Sequence, residues 1–386
     1  MWGNDTFVFI EVFGYEGGIQ SYIKDVLTAY AKLDSLRKAD VFLLRDKSDE
    51  VPSELLSCFR FHCFQSGSSM VDRIWLTISL SIHLLVWRPQ RLFCGHINLV
   101  TMVSRLARLV RIPYTVLTYG KEVWFPLAPS ECRALRSADT IWTISRYSRV
   151  LACKANCLDA DCVELVPCAV DGNEFTPAIA NPKLQKYYGL ADARVLMTVA
   201  RLWKGDPYKG VDVTIRALPA IAKVFPNVKY LVIGRGNDQP RLAQLAYDLG
   251  VAERVIFAGF IPSEALVEHY RLADVYVMPS QEGFGIVYLE AMACGISVVS
   301  GDADGSADPL QDGQLGWRVP HRDPDAVATA CVEALQGNDR RCDGDWLRTQ
   351  TLAKFSKAAL NHRLRKLLDN IPLDNDSHVN QPKSTI

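Results

Sequence analysis

Apolar residues along this chain fall into two alternating patterns. Short, nearly continuous runs cover residues 7–13, 41–44, 92–94, 114–118, 140–144 and 163–167. Runs of that length suit strands buried on both faces, as in a parallel sheet. Between them, apolar positions recur every three or four residues, the mark of helices that pack by one stripe. Residues 7–13 lead into the glycine-rich turn Gly14-Tyr15-Glu16-Gly17-Gly18 and then an amphipathic helix over 19–33. The pattern restarts in the second half, with strands at 195–200, 229–233, 255–258, 275–278 and 297–300 and helices at 211–225 and 241–249. Repeated strand–helix order predicts a doubly wound parallel sheet. Two such series predict an α/β protein of two tandem Rossmann-like domains with a ligand cleft between them.

The linker is expected after the strand at 163–167, through Asp171-Gly172-Asn173 and Pro177, with a short helix over 181–189 opening the second unit. This reading divides the chain into domains 1–172 and 173–357, a C-terminal helix over 358–372 that packs back on the first domain, and a disordered polar tail, 373–386. A length of 386 residues suits two cores rather than one.

Composition narrows the function. Lys+Arg and Asp+Glu balance at 43 each, so no global basic field argues for nucleic acid, and any anion site must be local. Met1-Trp2-Gly3-Asn4-Asp5 carries no positive leader, so no secretory signal is expected and a cytoplasmic location follows. Eleven scattered cysteines suggest reduced thiols, and Cys153, Cys157, Cys162 and Cys168 match no zinc spacing. The apolar run 74–87 has fourteen residues, shorter than the roughly 20 of a spanning helix. A buried or interfacial helix is expected there. Arg105, Arg108 and Arg111 recur among apolar residues just after it, which suits either a helix lying on an anionic membrane face or one packed on the sheet with solvated arginines.

The most informative segment is 280–295. It follows the strand at 275–278 and contains Glu282, Gly283, Phe284, Gly285 and, eight residues after Glu282, Glu290. The two glycines allow close backbone approach to a ligand. A helix beginning near Phe284 or Gly285 offers free N–H groups to a diphosphate. Carboxylates flanking that helix start suit sugar hydroxyls. Alone, Glu282 reads equally as a cap and Glu290 as a solvated helix residue.

The context changes that. Glu282-Gly-Phe-Gly-Ile-Val-Tyr-Leu-Glu290-Ala-Met-Ala resembles the E-x7-E signature of retaining GT-B glycosyltransferases, the family 4 (group 1) enzymes. Arg201 and Tyr208-Lys209-Gly210 resemble that family's diphosphate-binding cations, consistent with the affinity of guanidinium and ammonium groups for phosphate oxygens. The resemblance implies a GT-B fold in which Arg201, Lys209 and Glu282 are catalytic. It implies donor binding by Glu290, Gly283, Phe284, Gly285, Gly17, Gly18, Gly234, Phe260 and Ile261. His96, Tyr119 and Glu122 are expected to contact acceptor or sugar. His96 reads equally as a cap, and Tyr119 stands where many members have His. Glu122 reads also as a partner for a nearby cation, and Ser145 as a plain helix cap. Asp302-Ala303-Asp304 would admit a divalent cation, but Arg201 and Lys209 already supply positive charge.

The implied activity is retaining, metal-independent transfer of a hexose from GDP-mannose or a UDP-hexose to a glycan or lipid-linked acceptor, in polysaccharide or cell-envelope biosynthesis. The donor is a substrate, and no cofactor is expected. Peripheral contact of the 74–111 region with the inner membrane face is the expected partner surface. The alternatives are a GT-B nucleotide-sugar epimerase and an inactive nucleotide- or glycan-binding protein.

Overall fold

The computed structural model describes residues 5–34, 37–205 and 209–369. The first four residues, Tyr208 and the tail from 370 lie outside the described residues.

The first half runs β1 (Asp5–Phe9), α1 (Gly18–Ala31), β2 (Ala39–Leu43), β3 (Phe59–Cys63), α2 (Ser69–Trp87), β4 (Arg91–Cys94), α3 (Ile97–Val110), β5 (Tyr114–Thr118), α4 (Pro129–Arg136), β6 (Thr140–Thr143), α5 (Arg146–Asn156) and β7 (Val163–Leu165). Its seven strands pair in parallel in the order β3-β2-β1-β4-β5-β6-β7. The second half runs α6 (Pro182–Tyr187), β8 (Arg194–Val199), α7 (Val211–Val224), β9 (Val228–Ile233), α8 (Gln239–Asp248), β10 (Val255–Gly259), α9 (Ser263–Tyr270), β11 (Val275–Met278), α10 (Ile286–Ala293), β12 (Ser297–Gly301), β13 (Trp317–Val319), α11 (Pro324–Gln336), α12 (Gly344–Phe355) and α13 (Lys357–Leu368). Its six strands are also parallel, in the order β10-β9-β8-β11-β12-β13.

β1 is shorter than its apolar run. Pairing stops at Phe9, and Val12, Phe13 and Gly14 instead turn their N–H groups onto the buried Asp46 carboxylate at 2.6–3.1 Å. The alternating strand β3 was missed because its outward residues, Arg60 and His62, are polar and partly exposed.

The helix over the apolar run is longer than the run. α2 has 19 residues and is, among the described residues, the one helix long and apolar enough to cross a membrane. It is not buried. Leu76, Leu80, His83 and Leu84 pack inward, while Ile74, Trp75, Ile78, Ile82, Leu85, Val86 and Trp87 are exposed.

The chain crosses between the sheets twice, after β7 and at Ser356, where Val170 and Ser356 form a parallel bridge. α13 then lies on α1 of the first sheet, with Asn361 Nδ2 donating to Ala29 O at 2.9 Å and an Arg365 guanidinium nitrogen donating to Leu33 O at 3.0 Å. The Arg348 guanidinium ties the outward crossing to α10 by donating to the carbonyls of Gly172, Phe175 and Ala293 at 2.5–2.6 Å. One hydrophobic cluster runs through both halves, from Phe7 to Leu368, so the two sheets share a continuous core along this seam. All eleven cysteines are free thiols.

Candidate active site

The carboxyl ends of β8 and β11 lie side by side, because these strands pair in register. Ligands of open α/β sheets bind outside such ends. Arg201 follows β8, its guanidinium 5.4 Å from the Trp203 ring centre. Lys209 stands just before α7. Gly210 between them has φ +74, and a Cβ there would lie 2.4 Å from Pro279 O, so this turn requires glycine. Lys209 thereby reaches across to the loop after β11, where its ammonium meets Glu282 Oε1 at 2.5 Å.

α10 begins after Gly285, whose φ is +90, and a Cβ at Gly285 would lie 2.3 Å from the Tyr288 ring. Glu290 lies in α10 and accepts a hydrogen bond from the Tyr270 hydroxyl at 2.6 Å. Burial pushes its carboxyl up to about 7, against the lowering effect of the Tyr270 hydroxyl. Val199 N donates to the hydroxyl of Tyr276 in β11 at 3.3 Å, which ties the two strand ends together.

The loop carrying Glu282 is held from below. Asp304 is buried and accepts from Glu282 N at 2.7 Å and from Ser306 N at 2.9 Å. In return Gly305 N donates to Glu282 O at 2.8 Å. Asp302 is half-exposed and faces His321, 3.9 Å away. The two carboxylates therefore do not converge as cation ligands; Asp304 spends its oxygens on N–H and O–H donors. Burial raises the Asp304 carboxyl to about 6. Sequence reasoning missed this positioning role, although an Asp two residues before Ser306 is a recognisable cap.

The first sheet supplies the opposite wall. Gly17 caps α1 and Gly18 opens it. Gly283 of the second half packs directly on Tyr119 and Gly120: a Cβ at Gly283 would lie 2.8 Å from Tyr119 O. Four of the expected contact residues have partners within the protein. The buried Tyr119 donates its hydroxyl to Gly95 O at 2.7 Å and packs edge-on to Tyr22, so its polar end is taken by the first domain's own backbone. Glu122 accepts from the N–H groups of Tyr119 and Gly120, which makes it a loop brace rather than a partner for a cation. Phe284 is buried and packs its ring on Phe355, so only its backbone lines the loop. His96 caps α3, its Nδ1 accepting from Asn98 N at 3.1 Å, which leaves the proton of the neutral ring on Nε2. Burial lowers its basicity.

Beyond Arg201, the loops after β9 and β10 pack together. Gly234 N donates to Gly259 O at 2.7 Å, and the Arg235 guanidinium lies 4.8 Å over the half-exposed Phe260 ring, next to Ile261. A concavity of about 1590 Å³ lies elsewhere. It lies between α13 and β5–β7, is bordered across the seam by Asp308, Gln311, Asp312 and Gln314, and includes none of Arg201, Lys209, Glu282 or Glu290.

The arrangement brings cations, a helix N-terminus and the Glu282 carboxylate to the ends of adjacent parallel strands, with Glu290 a turn into that helix, and comparisons with known proteins agree with it. The sequence profile of the group 1 glycosyl transferases matches residues 193–337. The chain is 38% identical over 231 residues to a GDP-mannose-dependent α-(1-6)-phosphatidylinositol monomannoside mannosyltransferase of Mycolicibacterium smegmatis, covering 56% of this chain and 59% of that protein. It is 30% identical over 271 residues to a GDP-mannose-dependent monoacylated α-(1-6)-phosphatidylinositol monomannoside mannosyltransferase of Corynebacterium glutamicum, covering 66% and 69%. The structure superposes on Anabaena HepE in complex with UDP with a TM-score of 0.77 at 19% identity, over 95% of this chain and all of that one. That likeness shows the two-domain GT-B fold. By fold and by sequence together, the chain belongs to the group 1 glycosyltransferases.

Proposed function

We propose that this protein transfers a hexose, with mannose from GDP-mannose the best-supported donor, to a lipid-linked acceptor with retention of anomeric configuration and without a metal ion. The observation that carries this reading is the Lys209–Glu282 pair at 2.5 Å on the ends of adjacent strands. A donor diphosphate competes for the ammonium and frees the carboxylate for a sugar hydroxyl. Arg201 and Lys209 neutralise the leaving diphosphate, the contribution that electrostatic stabilisation makes most strongly in a closed site. The C1–O bond to phosphate breaks while the acceptor oxygen attacks C1 from the same face, and the acceptor proton passes to a phosphate oxygen. Glu290 holds the ribose. The two mannosyltransferase relatives support GDP-mannose and a phosphatidylinositol-type acceptor.

The acceptor reading draws support from α2. Its exposed stripe, Ile74, Trp75, Ile78, Ile82, Leu85 and Val86, follows three- and four-residue spacing, and Leu109, Arg105, Arg108 and Arg111 on and just after the neighbouring α3 are exposed as well. An exposed apolar stripe next to a basic helix suits the surface of an anionic bilayer.

A donor panel tests the proposal: GDP-mannose, UDP-glucose and ADP-glucose are offered with phosphatidylinositol vesicles, and products are read by mass spectrometry and NMR. Transfer with the donor's anomeric configuration kept supports it. An isomerised free donor supports the epimerase, and binding without turnover supports the inactive protein.

A further inference from the structure

The Glu282 loop is gripped from the first domain as well as from its own. The segment 304–308 lies directly under it, close enough that a Cβ on Gly305 would come within 2.0 Å of Gly283 O. Asp308, at the end of this segment, reaches across the seam. Its carboxylate accepts from Arg146 N at 2.6 Å, at the N-terminus of α5, and from the Arg146 guanidinium, which also reaches Asp312 at 2.8 Å. The second domain thus supplies the anion that the positive end of a first-domain helix favours. Two residues further along α5, the Ser148 hydroxyl faces Gly283 O at 3.4 Å and accepts from Trp124 Nε1 at 3.2 Å.

We propose that Arg146, Asp308 and Asp304 form a positioning relay that sets the Glu282 loop in register only when the two domains are in contact. Arg146 and Asp308 sense the contact. The rigid 304–308 segment carries it, and the Asp304 carboxylate fixes the Glu282 backbone. None of the three touches substrate. A misplacement of about 1 Å in such a loop costs up to about 10²-fold in rate. The inference rests on the proposed transfer reaction, but part of its test is independent of it.

Two measurements on the full chain test the relay. Hydrogen exchange reads the Glu282–Gly285 amides in wild type, Arg146→Ala and Asp304→Asn without any donor. Faster exchange there in both variants, with β12 and α11 unchanged, is expected. Kinetics then compare kcat, donor KM and GDP affinity for Arg146→Ala, Asp308→Asn and Asp308→Glu. The expected result is kcat lowered about 10- to 100-fold in the first two, with GDP affinity within about twofold and substantial recovery in Asp308→Glu. Unchanged loop exchange in Arg146→Ala, or a loss confined to GDP affinity, overturns the relay. Absence of turnover in wild type with altered loop exchange would fault the transfer reading and leave the relay standing.

Discussion

At the residue scale, the site depends on the charges of Lys209, Glu282 and Glu290. Lys209→Ala removes one cation from the leaving diphosphate, and kcat is expected to fall by about 10²–10³-fold, as loss of a single stabilising donor does elsewhere. Steady-state kinetics of the purified variant check this. Glu290 gives a pH prediction. Its folded carboxyl titrates near 7 because burial penalises the charge, whereas the ordinary value is 4.5. Between those values the folded protein holds a proton that the unfolded chain has released, so stability falls as pH rises through that window. Glu290→Gln abolishes this dependence. Thermal melts without donor are expected to show the variant gaining on wild type between pH 5 and pH 8. An identical pH profile would contradict the burial argument. The E-x7-E segment stood out in the sequence because its glycines and helix start resemble the family signature, and the structure places that helix start after β11. Asp46 did not, since a carboxylate that braces a loop more than thirty residues away leaves no local pattern, and at Asp304 the cap spacing to Ser306 gives no hint that the same carboxylate also holds Glu282 N. Tyr119 misled because composition does not say which way a hydroxyl turns, and here the Gly95 carbonyl takes it.

At the element scale, most strands were readable because both sheets are parallel and covered, which makes their apolar runs nearly unbroken. The boundaries failed where a side chain outside the strand took over the backbone, as Asp46 does after Phe9. α2 was read as short because a run of apolar letters ends where a helix need not. Its exposed stripe predicts the third outcome. Replacing Ile78, Ile82 and Leu85 together by Ser leaves the melting temperature nearly unchanged, as none of the three is in the core. Binding to vesicles containing anionic lipid drops sharply, each large apolar side chain contributing up to about 1.5–3 kcal/mol when fully buried. Vesicle sedimentation reads the loss, and unchanged binding would remove the membrane role from this helix.

At the scale of the whole molecule, the two domains were predictable from length and repetition, but their seam was not. It is assembled from residues far apart in sequence: Arg146 with Asp308, and Arg348 with Gly172, Phe175 and Ala293. Arg348→Ala strips three carbonyls of their donors at once. An unsatisfied buried acceptor costs about 1–3 kcal/mol, so the variant is expected to melt several degrees lower. A melt within one degree of wild type would show that water replaces the guanidinium there.

The proposed function requires a pocket in which Lys209 and Arg201 hold the diphosphate of a sugar donor. Its most direct test is isothermal titration of GDP-mannose into wild type and Lys209→Ala in metal-free buffer with chelator. Saturable binding by wild type, weakened at least about tenfold in the variant, is the predicted result. Equal binding by both proteins, or binding only after a divalent cation is restored, would contradict it.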